Sequence, residues 1–215
     1  MGFLDKIKSM QSKFSAEKGK QETPQLLFVE KIKALDAQFS ADKIKQQENC
    51  TLYGVFEKTP PLAKHIVFAA MSEELIQHLI DSYNRTVPAE LLTLYRSMNG
   101  CNLFWESYLS EKYNIALPMN RFSVYGIPLT FRERVEPFNI SIEDLNRPQG
   151  TPQSWLKFGC FYKPNVDFST RFDLFADTDT SAVYAVEHGI ETCVVSEQWD
   201  SIDTCLRAVF DLLST

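Results

Sequence analysis

The stretch that most constrains this 215-residue chain lies between Val87 and Pro128, where helical spacing gives way to strand spacing within a few residues. Pro88 suits a first helical turn, because its missing N–H would have no partner there. Leu91, Leu92, Tyr95 and Met98 then fall on one helical face. Gly100 suits the left-handed position that ends such a helix, and Asn99 beside it is the next best tolerated residue. The apolar run at Leu103, Phe104 and Trp105 predicts a strand, and Phe122 to Gly126, closed by Tyr-Gly-Ile-Pro, predicts a second. A helix that stops this sharply and feeds a strand sets a corner of an α+β domain. It contains no chemistry of its own.

Composition bounds what the chain can be. With 44% hydrophobic residues and sixteen phenylalanines it can bury one good core. Its 22 basic against 28 acidic residues leave a net charge of -6 and a pI near 5.2, which argues against direct nucleic-acid binding, since phosphate contacts need a basic face. An acidic surface suits solubility or a basic partner. Cys50, Cys101, Cys160, Cys193 and Cys205 are odd in number and contain no CxxC pair, so neither a disulfide framework nor a zinc site is suggested and a cytoplasmic location is expected. The longest apolar run, Ile66 to Met71, is far short of the roughly 18 to 20 residues of a spanning helix. Asp5, Lys6 and Lys8 interrupt the N-terminal apolar residues, unlike the core of a signal peptide.

The first 20 residues carry five lysines against Asp5 and Glu17, a net of +3 that leaves -9 for the rest. Phe3, Ile7, Met10 and Phe14 recur at three- and four-residue intervals, predicting a basic amphipathic helix that would suit an anionic membrane surface or a partner groove. A first helix packed on its own domain is the plainer reading. Lys6 stands where a myristoylation motif wants Ser or Thr. Residues 19 to 24 form a polar linker, so the expected division is a helix and linker over 1–24 and a single α+β domain over 25–215.

Within that domain the spacing predicts a helix from Gln25 to Phe39, a short strand from Thr51 to Phe56 before a Pro60-Pro61 break, and a helix starting at Ser72. Ile66 to Ala70 fits either a strand or a buried helix. Beyond the Pro88 helix the period changes to that of strands at Ser123 to Gly126, Leu156 to Tyr162, Arg171 to Ala176, Ala182 to Glu187 and Cys193 to Ser196, with a hairpin around Asp177 to Ser181. Asp200 is expected to cap a last helix whose Ile202, Cys205, Leu206, Val209, Phe210 and Leu213 form one stripe across the sheet. The fold class is therefore α+β, with N-terminal helices, a central, mostly antiparallel, twisted sheet and a C-terminal covering helix.

Motifs for chemistry are few. Neither GxGxxG nor GxxxxGK[ST] occurs, and His65, His78 and His188 stand isolated, so no cofactor and no metal is expected. His78 fits a helix flank and His188, before Gly189, a solvated imidazole in a turn. Asp173, Asp177 and Asp179 alternate as calcium ligands can, but counting from Asp177 the sixth and twelfth positions are Ala182 and His188, where an EF-hand needs glycine and glutamate. A polar turn built by aspartates explains them better. Arg132, Glu133, Arg134 and Glu136 fit a solvated segment with weak ion pairs. No GxSxG elbow is present, and no carboxylate pair sits in a recognised motif. Phe104, Trp105, Tyr108, Trp155 and Trp199 suit core or strand-flank positions, or a binding surface where exposed.

In order along the chain, Val87 to Glu90, Asn99-Gly100, Leu103-Phe104, Val124 to Gly126, Trp155 to Gly159, Asp177 to Asp179 and Trp199 to Ile202 resemble the signature of the SUKH superfamily. That family includes yeast cell-wall-assembly regulators of the Smi/Knr type and bacterial toxin-immunity proteins. The resemblance spans about Ser72 to Leu213 and departs from the family pattern between Trp105 and Arg121 and in the first 60 residues. It implies a SUKH-like fold and a non-catalytic module that binds a protein, foremost an immunity protein neutralising a cognate polymorphic toxin such as a nuclease, with Trp105, Glu106, Asp177 and Asp179 as contacts. The alternatives are a regulatory scaffold, located by its basic first helix, or a hydrolase using carboxylates of the sheet.

Overall fold

The computed structural model describes residues 26–58, 61–82, 86–110, 115–126, 147–164 and 170–215. The basic helix and linker expected over 1–24, the Arg132 to Glu136 segment and the Ile127-Pro128 closure lie outside the described residues, as does the side chain of His78.

Nine strands form one sheet in which every neighbour follows in sequence and runs antiparallel: β1 (Ile44–Gln46), β2 (Cys50–Lys58), β3 (Pro61–Phe68), β4 (Cys101–Ser110), β5 (Ile115–Val124), β6 (Trp155–Tyr162), β7 (Arg171–Asp177), β8 (Val183–Glu187) and β9 (Val195–Trp199). The helices are α1 (Leu27–Lys33), α2 (Leu35–Gln38), α3 (Glu73–Ser82), α4 (Ala89–Ser97) and α5 (Ile202–Ser214), with a 3₁₀ turn at Ala41–Lys43. Side-chain alternation divides the sheet. Leu103, Phe122, Phe161 and Phe172, paired in turn across β4 to β7, join the main core with the helices, where Phe28 of α1 meets Phe122 and Phe210 edge-on at 6.1 and 6.2 Å. The next row, Asn102, Ser123, Cys160, Asp173 and Val186, faces the other way and is largely polar.

Carboxylates join the helix ends. Ile202, Cys205, Leu206, Val209 and Phe210 bury the expected stripe of α5. The cap differs from expectation: Ser201, not Asp200, accepts from the Thr204 N–H at 3.2 Å, because its extended backbone aims the hydroxyl at the free amides. Glu90 Oε2 of α4 accepts from the Ile202 and Asp203 N–H groups at 2.7 and 3.2 Å, placing an anion at the positive end of α5. Asp203 in turn accepts from the Phe28 N–H of α1 at 2.8 Å.

The expected Gln25 to Phe39 helix is interrupted at Ala34. The Ala37 N–H bonds the Ala34 carbonyl at 3.2 Å, a tighter i to i−3 turn, and Phe39 leaves in extended conformation to lie 5.8 Å from the His65 ring. Pro60-Pro61 is no terminus of pairing either: β2 and β3 are a hairpin, with Lys58 opposite Pro61, and Pro61 opens its strand, where a missing N–H is tolerated. Ile66 to Phe68 resolves as strand. Strand β9 begins two residues later than expected and runs on to Trp199.

The departure between Trp105 and Arg121 belongs to the sheet. Strand β3 pairs with β4 only over Cys101–Leu103, and β6 with β5 only over Phe122–Val124, whereas β4 and β5 stay paired out to Ser110 and Ile115. The segment is a two-strand arm extending past its neighbours. It parts from β3 at Phe104, a non-glycine residue at φ +58°, whose N–H donates to His65 Nδ1 at 3.3 Å.

Candidate functional site

Three separated glycine motifs meet in space. Asn99 is fully buried, and Gly100 turns the chain at φ +85° with its α-carbon against Val124, so a Cβ there would lie 2.4 Å from the Val124 carbonyl oxygen. A Cβ on Gly126 would come within 2.0 Å of the Asn99 carbonyl oxygen. The Tyr95 hydroxyl donates to the Tyr125 carbonyl at 3.0 Å and the Tyr125 N–H to Phe158 at 2.8 Å, bringing in the Phe158-Gly159 pair. The Asn-Gly, Tyr-Gly and Phe-Gly motifs thus form one backbone junction, which is structural rather than chemical.

On the far face of the sheet lies a cluster that spacing did not reveal. Asp173 of β7, 1% exposed, holds Lys157 Nζ at 2.7 Å, Arg171 Nη2 at 3.1 Å and His188 Nδ1 at 2.9 Å, and Arg171 Nη2 is also 2.8 Å from His188 Nδ1. His188 is therefore not the solvated turn imidazole expected. The antiparallel register sets it beside Arg171, whose carbonyl accepts the His188 N–H at 2.7 Å. The cross-strand pairing Cys160↔Asp173↔Val186 could not be foreseen without knowing which strands adjoin. Beside the cluster, burial pushes the Cys160 thiol up and, with the thiol's help, raises the Tyr125 phenol, so both groups hold their protons at neutral pH. The carboxylate thus anchors a buried ion-pair network in which Asp173 Oδ1 meets Arg171 only as an ion pair and, among the described residues, has no hydrogen-bond donor.

The four expected contact residues do not form one patch. Trp105 and Glu106 lie on β4, in the arm. Trp105 is half-buried against the Leu52 and Ile66 cluster, its indole N–H without an acceptor among the described residues, and Glu106 pairs with Arg121. Asp177 and Asp179 sit in the β7–β8 turn at the other end of the sheet, where Asp177 opposes Trp155. The 8 residues of β6 lie between, roughly 25 Å of strand. Asp177 is buried and builds the turn, accepting from the Asp179 N–H at 3.1 Å and the Thr180 hydroxyl at 2.8 Å. Burial works to raise its carboxyl, and these bonds outweigh that and hold it below the usual carboxylate value. Asp179 stays exposed. Asp173, grouped with this pair by spacing, belongs to the buried cluster instead.

Acidic residues are frequent in the last part of the sequence, where Asp173 and Asp177 are buried and Asp173, Glu197 and Asp211 pair with Lys157, Lys163 and Lys31 of other segments. Residues 170–215 hold nine acidic residues against Arg171 and Arg207, a net of -7, larger than the -6 of the whole chain. Asp179, Glu191 and Asp200 are exposed and Glu187 is partly so. Among the described residues no three His, Cys, Asp or Glu side chains are grouped so as to hold a metal ion, and no helix is long and apolar enough to cross a membrane.

No protein-family model, curated protein or solved structure matches this chain.

Proposed function

We propose that this chain is a non-catalytic protein-binding module of the SUKH kind, acting in the cytoplasm as an immunity protein that occupies the basic site of a toxin domain. The observation that carries the reading is the group of carboxylates left at the surface and in no ion pair with a described cation, Asp179, Glu191 and Asp200 with the part-exposed Glu187, on the strands and turns that build one end of the sheet. A negative, rigid surface of this kind steers a basic partner and speeds its association. Two further features support it. Three of the seven segments of the family resemblance, Asn99-Gly100, Val124 to Gly126 and Trp155 to Gly159, meet at one backbone junction. The buried ion-pair network fixes the sheet behind the acidic strands.

The test uses the toxin domain encoded beside the gene. Binding measured by calorimetry and stopped flow should weaken steeply between low and physiological salt. Neutralising Asp179→Asn, Glu187→Gln, Glu191→Gln and Asp200→Asn together should slow association roughly tenfold or more while leaving the circular dichroism unchanged. A toxin that binds the neutralised protein at the original rate, or fails to bind the unaltered one, removes the reading.

A further inference from the structure

We propose that the outer edge of β9 receives an extended lysine- or arginine-rich segment of the partner, adding a tenth strand to the nine-stranded sheet. The inference rests on the protein-binding reading above and names its mode.

The two edges of the sheet differ. At β1 the three-residue edge Ile44–Gln46 follows Lys43 and carries Lys45, the charged side chain that proteins use to blunt an open edge. Strand β9, Val-Ser-Glu-Gln-Trp, has neither lysine nor proline. It carries one bulge: Val186 opposes Val195 and Ala185 opposes Glu197, so Ser196 is an extra residue of β9. Among the described residues no backbone bond reaches the outer side of Val195–Trp199, while just before the strand Gln149 bridges Thr192, its N–H donating to the Glu191 carbonyl at 2.7 Å and its carbonyl accepting from the Cys193 N–H at 2.9 Å. Of the exposed large hydrophobic side chains described, only Val194 and Val195, at 52% and 44%, lie at a strand. An open edge with exposed β-branched side chains is a template for pairing.

Charge selects the occupant. Glu191 precedes the strand and Asp200 follows it, both exposed and neither paired with a described cation, and Glu197 between them shares only Lys163 at 2.9 Å. A basic strand laid along Val195–Trp199 gains main-chain hydrogen bonds and meets Asp200 at one end, with the Glu191 side chain beyond the Gln149 bridge at the other. A second copy is disfavoured, because antiparallel pairing of two β9 strands about their centre sets Glu197 of one directly against Glu197 of the other.

Hydrogen exchange on the full chain tests this with a blocked peptide of alternating lysine and valine. That peptide should slow exchange at the residue 195–199 amides about tenfold. Its glutamate-valine counterpart and its backbone N-methylated form should not. Equal protection by either control, no protection by the lysine peptide, or protection that rises with protein concentration alone overturns the proposal. The same measurement with the neighbouring toxin separates the two inferences. A toxin that binds without protecting 195–199 leaves the immunity reading standing and removes this one, whereas a toxin that does not bind removes the reading itself.

Discussion

At the scale of single residues, burial decides which charges matter. Asp173 neutralises Lys157 and Arg171, whose side chains are 14% and 27% exposed. Asp173→Ala strands two cations with their anion gone and should cost about 3–5 kcal/mol, read as a lower urea midpoint with the slope unchanged. His188→Ala removes a partner that is 34% exposed and should cost about 1 kcal/mol or less in the same experiment. His65 gives a pH dependence of known sign. Burial, with a lesser contribution from Lys64, lowers its pKa to about 4, and its Nδ1 must stay unprotonated to accept the Phe104 N–H. A histidine whose folded value lies below its unfolded 6.5 contributes stability that is complete above pH 6.5 and is lost as the pH falls through 6.5 toward 4. Unfolding free energies of the parent and His65→Gln should therefore converge over that interval. Parallel curves would show that the imidazole does not titrate there.

At the scale of elements, the helices hold one another through their ends. Glu90→Ala removes the acceptor from two amides of α5 and should destabilise by about 1–2 kcal/mol, whereas Glu90→Gln keeps an oxygen there and should cost about half as much, both checked by thermal unfolding. Such tertiary caps cannot be read from sequence, since Glu90 and Ile202 are 112 residues apart. What was legible was local. The α5 stripe, the β7–β8 hairpin and the Asp177 turn follow from periodicity and turn chemistry over a few residues, whereas Gly100, expected to end the helix, lies past it: α4 stops at Ser97, Met98 is extended, and the glycine at φ +85° turns the chain into β4. Asp200 was a fair candidate for the cap by residue type, and backbone geometry gave the role to Ser201. The break at Ala34 has no proline or glycine to announce it. The β4–β5 arm was hidden because its pairing ignores β3 and β6, and the Asp173 cluster because it is assembled from three strands.

At the scale of the whole molecule, the sequential order of the nine strands makes most pairing local, while the charge is not evenly shared. The surface carboxylates Asp179, Glu191 and Asp200, with the part-exposed Glu187, repel one another, and salt screens that repulsion. The melting temperature should rise from low to physiological ionic strength by about 2–4 °C, the shift that ~1 kcal/mol produces in a chain of this size. The fourfold neutralised variant should show little of that rise. A flat salt response in the unaltered protein would mean that these four carboxylates do not repel one another measurably.

The bond from Phe28 to Asp203 spans 175 residues, so a ribosome making about 5–20 residues per second releases the acceptor roughly 9–35 s after its donor. Until then Phe28 has no Phe210 to meet, and the greasy side of the nascent meander stays uncovered. Holding chaperones have their longest opportunity in that interval, and a chain truncated before Ile202 should be a substrate for proteases rather than a smaller folded domain.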